Sequence, residues 1–331
     1  MSELYPLLLR PQFHERVWDA RSLAPIYADL ATSSPIGEAW LTGEECKVAN
    51  GPLAGRTLGE LCREFGDELT GEAALVPSRF PLLIKFLFPR DKLSVQVHPD
   101  DDGARDLGEP CGKTECWYVL DAEQGAQIGL GLRPGTTKDE VERAIREVRM
   151  EQLLNWIDVR RGDMIYVDAG TVHAIGPGSI IVETQQNSDT TFRLYDYGRP
   201  RELHIEQGMQ ALKERTNAGK VWRTSHEEHE RLVASPCFVV DKFALSREQT
   251  FTGMRESAQC IVATQGAAAI EAPGASPVML TAGECVVIPA SVGEYRVRPQ
   301  WNLEFLRSSV PAGEVGLPSI MHLADQLITA R

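Results

Sequence analysis

The chain has 331 residues, 43% of them hydrophobic, with 34 basic and 47 acidic side chains for a formal net charge of −13. That length can bury a substantial core in one large or two smaller domains, and the acidic balance argues against non-specific nucleic-acid or anionic-membrane binding, while leaving room for a few local Arg and Lys residues to hold a phosphorylated small molecule. Met1-Ser2-Glu3-Leu4-Tyr5-Pro6 lacks the basic start and apolar run of a signal peptide, no stretch approaches membrane-span length, and the seven cysteines contain no CxxC pair, so a cytoplasmic chain with reduced thiols is expected.

Near the N-terminus, Thr57 followed by Glu60 has capping-box spacing and predicts a short helix through Phe65. Residues 80–88 form a nearly continuous apolar run ended by Pro89 and read as a buried strand. Lys85 is embedded in that run, so it must either snorkel out or serve a site. The next run, Leu93-Ser94-Val95-Gln96-Val97-His98, alternates strictly: Leu93, Val95 and Val97 are expected on one face and Ser94, Gln96 and His98 on the other. Lys113-Thr114-Glu115-Cys116-Trp117-Tyr118 places a carboxylate at the head of a further strand, with Lys113 two residues before it. Cys111 and Cys116 flank that glutamate and read as small buried hydrophobes rather than as a thiolate site.

Thr136 and Thr137 open a helix whose apolar positions run through Val141, Ile145 and Val148 and on to Leu153, Leu154 and Trp156. Strands are expected to resume at Asp158 and to continue to about Tyr197. Within them Gly162-Asp163-Met164-Ile165-Tyr166-Val167-Asp168-Ala169-Gly170-Thr171-Val172-His173 reads as turn, apolar strand, tight turn and histidine. Residues 202–213 look helical, and 220–230, polar and charged, read as a linker carrying His226 and His229 in a solvated run. From Leu232 onward short strands alternate with Gly, Pro and Ser, which points to β-sandwich or β-barrel architecture. Gly283-Glu284-Cys285-Val286-Val287-Ile288-Pro289-Ala290 echoes Gly162 to Ala169, and the eleventh residue onward is Glu294 rather than a histidine. The second half therefore reads as a copy of the first that has lost its histidine.

Of the seven histidines, His14, His204, His226, His229 and His322 read as ordinary core or surface residues. His98 and His173 each end or follow an apolar strand beside other inward polar groups. A buried His or Gln without a partner costs desolvation energy, so one joint role is the simpler explanation. Gln96, His98, Glu115 and His173 supply the N and O donors a divalent metal needs, with room for substrate.

These segments have the shape of the two cupin motifs. The second fits well, with Asp168 where a proline is common; the first is looser, with a polar loop between His98 and Glu115. Residues 93–100, 112–118, 169–174 and 183–193, together with Pro35-Ile36-Gly37-Glu38-Ala39-Trp40, occur in the order found in type I mannose-6-phosphate isomerases of the short bacterial form, and the chain resembles that family to about residue 212. The resemblance implies a mainly β fold of two cupin-type jelly-roll barrels with a few helices, the C-terminal one degenerate. Residues 1–231 would form the metal-binding catalytic domain and 232–331 the second barrel. It also implies one zinc per chain, or another divalent metal, on Gln96, His98, Glu115 and His173. Arg193 would lie in the active site and hold the substrate; Lys85, from its place inside an apolar strand, is a second candidate for substrate binding. Asn187, Ser188 and Asp189 would shape the loop that delivers Arg193.

The implied reaction is interconversion of mannose 6-phosphate and fructose 6-phosphate by proton transfer between C2 and C1, with Lys113, Glu183 and a metal-bound water all open as the base. A non-catalytic sugar-binding cupin, or an isomerase for another sugar phosphate, are the alternatives; the joint presence of Lys113, Glu183 and Arg193 favours an enzyme. One departure is Val17-Trp18-Asp19-Ala20, where the family usually has Trp-Gly-Gly, which alters a turn at the barrel mouth.

Overall fold

A computed structural model describes residues 4–18, 20, 22–30 and 34–321; Asp19 and His322 lie outside the described residues. The fold is mainly β with few helices. By packing, the chain divides into two units: Met1–His14, Arg21–Phe86 and Arg223–Leu317 in one, Glu15–Ala20, Leu87–Trp222 and Pro318–Arg331 in the other. The expected division at 231/232 cuts the chain once, whereas grouping by contact interleaves its segments, with residues 21–86 beside the C-terminal strands.

In the unit built mostly from residues 87–222, one sheet has the strand order Phe192–Tyr195, Val95–Val97, His173–Ile175, Gln127–Leu132 and Leu154–Asp158, every pair antiparallel. A second set runs Gly219–Lys220, Met164–Val167, Glu115–Ala122 and Ser179–Gln186. Strand alternation decides what each face sees. Val95, Val97, Val172, Ala174, Phe192 and Leu194 pack outward with Val141, Ile145 and Leu212. Ile128, Leu130 and Ile175 pack inward with Trp18, Trp117, Val119, Ile165, Val167 and Ile181. Gln96, His173 and Arg193, one residue out of phase with the outward set, therefore share the inward face.

The other unit repeats this plan. Its seven-stranded sheet includes Cys285–Ile288, Gln259–Gln265, Leu303–Ser309 and Val239–Leu245 as neighbours, and its four-stranded sheet runs Gln249–Thr252, Glu294–Pro299, Ala267–Glu271, Val278–Thr281. Phe243, Ile261, Val286, Phe305, Phe251, Ile270, Leu280 and Tyr295 meet in a common core. Gly162 and Gly283, the two glycines of the repeated segment, have φ of 90° and 93°, so each turn needs the left-handed conformation that glycine alone adopts freely.

Several local expectations hold. The helix Leu58–Phe65 carries a full Thr57–Glu60 capping box, and the apolar run at 80–88 forms the buried strand Leu82–Leu87. The 202–213 segment contains the helix Ile205–Ala211. Two differ. The helix capped by Thr137 and Glu140 ends at Arg146, because Val148 takes a left-handed φ of 56°; a single 3-10 turn, Met150–Leu153, then leads into a strand that already starts at Leu154. Leu93 packs inward rather than with Val95 and Val97, because the strand begins only at Val95 and alternation has no meaning in the irregular backbone before it.

Candidate metal and active site

Register assembles the site. Gln96 lies directly opposite His173 on one side and Arg193 on the other, and opposed residues of an antiparallel pair point to the same face. On the other sheet Glu115 opposes Val167 and Gln185, while Glu183 opposes Trp117, so Glu115, Glu183 and Gln185 face the same interior. The result is that one nitrogen of each of His98 and His173 and one oxygen of Glu115 lie within 4.8 Å of one another, and all three residues are buried.

Backbone carbonyls set the chemistry of both imidazoles. His98 Nδ1 is 2.9 Å from the Thr190 carbonyl and His173 Nδ1 is 2.9 Å from the Thr171 carbonyl. A carbonyl oxygen can only accept, so Nδ1 carries the proton in each ring and the Nε2 lone pair faces the interior. Burial, reinforced by the positive charge of Lys113, pulls the His173 pKa down to about 4, so its ring is neutral at physiological pH. Its Nε2 then stands 3.2 Å from Glu115 Oε1 and 3.2 Å from the Gln96 amide. The two ends of a carboxamide are nearly isosteric, so a half-turn of Gln96 presents its oxygen instead of its nitrogen. Two imidazole nitrogens, a carboxylate and an amide converging in a buried place fit a divalent cation, the donor set such an ion takes. The carbonyls of Thr171 and Thr190 are the outer partners such a site needs.

Lys113 sits in the loop before the strand, not on it, yet its Nζ reaches the cluster: 2.6 Å from Glu115 Oε2, 2.8 Å from His98 Nε2 and 3.7 Å from Glu183 Oε1. Burial alone would depress its pKa, but the carboxylates of Glu115 and Glu183 outweigh that and the net direction is upward. Its loop is tied down by Gln186, whose Oε1 accepts from Thr114 N at 2.9 Å and whose Nε2 donates to Asp101 Oδ1 at 3.0 Å.

Arg193 presents a different picture. Its backbone stands beside Gln96, but its guanidinium donates to the Glu202 carbonyl at 2.8 Å, and its Nε is buried without a hydrogen bond. Burial, and the neighbouring charge of Arg201, lower its pKa. Lys85 belongs to the other unit, on the strand Leu82–Leu87, where it is buried with Nζ 4.9 Å from the centre of the Trp40 ring. Residue types pointed to every side chain of the His98–Glu115–His173 cluster. The two threonine carbonyls and the Gln186 clamp carry no such signal, because a backbone acceptor looks alike in every residue and a glutamine at a strand end has no fixed role.

Comparison with known proteins covers most of the chain. The family described as "Phosphomannose isomerase type I, catalytic domain" matches residues 7–127. A mannose-6-phosphate isomerase of Streptococcus mutans is 41% identical over 254 residues, covering 73% of this chain and 79% of its own. A probable mannose-6-phosphate isomerase of Bacillus subtilis is 36% identical over 263 residues, covering 75% of this chain and 82% of its own. The crystal structure of the mannose 6-phosphate isomerase from Bacillus subtilis superposes with a TM-score of 0.80 at 30% identity, over 92% of this chain and 99% of that one.

Proposed function

The chain belongs to the type I phosphomannose isomerase family, and from that membership we propose that it interconverts mannose 6-phosphate and fructose 6-phosphate, with zinc held by Gln96, His98, Glu115 and His173. The observation that carries the reading is the buried meeting of His98, Glu115 and His173 with Lys113 and Glu183 against them. A divalent ion held by these residues would supply Lewis-acid polarisation of the sugar substrate.

The protein's own groups divide the remaining work. Lys113, held as an ammonium by two carboxylates, is a hydrogen-bond donor and a proton source for the sugar oxygens. Glu183, with Oε1 3.7 Å from that ammonium, is the carboxylate that moves the proton between C2 and C1. Arg193 has a permanently charged, fork-shaped guanidinium suited to the substrate phosphate. Trp117, Val119, Ile165 and Ile181 line the same interior and keep water away from the reacting carbons. A cytosolic setting is part of this reading, supported by seven cysteines that are all free thiols.

The test is a coupled assay of mannose 6-phosphate to fructose 6-phosphate, run on the protein as purified, after chelation and after zinc is returned. Activity that disappears and returns with zinc is the expected result. A metal-loaded protein that turns over no mannose 6-phosphate would overturn the reading.

A further inference from the structure

The two histidines of the cluster are oriented in different ways. His173 bonds through Nδ1 to Thr171, two residues before it in the same turn. His98 bonds through Nδ1 to Thr190, 92 residues away. The orientation of His98 therefore depends on whatever holds the 187–191 segment in place, and that segment is neither helix nor strand.

The holding group is Gln185. It is fully buried on the interior face, directly opposite Glu115. Its Nε2 donates to the Gln186 carbonyl at 2.9 Å and to the Ser188 carbonyl at 2.5 Å. Ser188 N in turn donates to the Gln186 carbonyl at 2.7 Å, and Ser188 Oγ accepts from Thr190 N at 3.3 Å. One amide nitrogen thus closes the turn whose next carbonyl but one receives the His98 proton. The Oε1 of the same amide is buried and makes no hydrogen bond, so the side chain's polar role rests in its two donated bonds.

We infer that Gln185 is a positioning residue for the metal centre: through the 186–190 turn it sets the Thr190 carbonyl that fixes the His98 tautomer and ring orientation. The inference rests on the metal-binding reading of the His98 cluster and not on the identity of the sugar. Partners of this outer kind typically contribute about 10- to 100-fold in metal affinity. The Gln185 donors touch no proposed ligand directly, so their loss is expected to weaken binding without removing any ligand.

The experiment is a Co2+ titration of the full-length protein, read by the visible d–d absorption of the bound ion, for the wild type, Gln185→Met and Gln185→Glu. Methionine keeps the volume and loses both donated bonds. Glutamate is isosteric and sets an oxygen against the two carbonyls, and serves if the methionine variant does not fold. The expected result is affinity lowered about 10- to 100-fold, with altered band positions and turnover largely recovered at saturating Co2+. Wild-type affinity and spectrum in either folded variant would overturn the inference. A wild-type protein that binds Co2+ but does not isomerise mannose 6-phosphate would count against the proposed reaction while leaving the affinity comparison to decide the role of Gln185.

Discussion

The two β units carry the same strand arrangement with opposite polar contents. In the first, Glu115 opposes Val167 and Trp117 opposes Ile165; in the second, Gln259 opposes Ile288 and Ile261 opposes Val286, which is the same register counted from Gly162 and Gly283. Glu183 opposes Trp117, and in the second unit Arg307 opposes Ile261. Where His173 Nε2 approaches Glu115, the Tyr295 hydroxyl donates to Gln259 Oε1 at 2.5 Å. Burial pushes the Tyr295 phenol up to about 12, so that pair is neutral. Arg307 is matched by Asp241 at 3.1 Å and lies over the Phe243 ring at 4.8 Å. In the second unit Tyr295 and Arg307 thus meet acceptors, whereas in the first unit two imidazole nitrogens and a carboxylate gather at one place with the Lys113 ammonium against them. The first unit's gathering of donor atoms favours a cation, whereas the second unit's paired groups offer it little to bind.

The largest test of this contrast is His173→Ala, which should strip bound metal and reduce isomerase activity to background, measured by metal analysis and the coupled assay together. A variant that stays active without metal would erase the distinction between the units. Next is Glu183→Gln, nearly isosteric, which should keep metal content and lower kcat by about 10²–10⁴-fold as the proton carrier is lost. Unchanged kcat would move the proton transfer elsewhere. Arg193→Ala should also retain the metal, with kcat/KM down about 10²-fold, equivalent to ~3 kcal/mol for a charge-assisted contact; near-normal turnover would remove it from phosphate binding. The smallest effect is expected in the second unit. Tyr295→Phe leaves Gln259 Oε1 without its donor, so thermal or denaturant unfolding should show a loss of ~1–3 kcal/mol, with activity and metal content unchanged.

Much of the candidate site was legible because its chemistry lies in residue types on short periodic runs. Gln96 and His98 declare themselves by alternating with Val95 and Val97, and His173 by following a glycine turn. Position along the repeat was less informative. Counting from Gly283 places Glu294 where the histidine would be, but Glu294 is exposed and the neighbouring Tyr295 faces the core. With a side-chain period of two, a slip of one residue exchanges faces, and only the pairing with Phe251 and Thr252 determines which residue turns inward. Leu93 shows the same limit from the other side, since its alternation was real in sequence but lay outside the strand.

The amino-acid sequence by itself determined the β-rich class, the capped helices at Thr57 and Thr137, the buried strand around Lys85 and the residue types of the candidate metal cluster. Those follow from local periodicity, capping chemistry and side-chain type. The tertiary structure decided that Lys113 is flanked by two carboxylates and held charged, that the Thr171 and Thr190 carbonyls present Nε2 of both histidines, and that Arg307 is neutralised while Glu183 faces a cation. Each of these depends on groups tens of residues apart in the chain brought within a few ångströms in a water-poor interior. There the electrostatic environment, rather than the residue type, sets which groups carry protons.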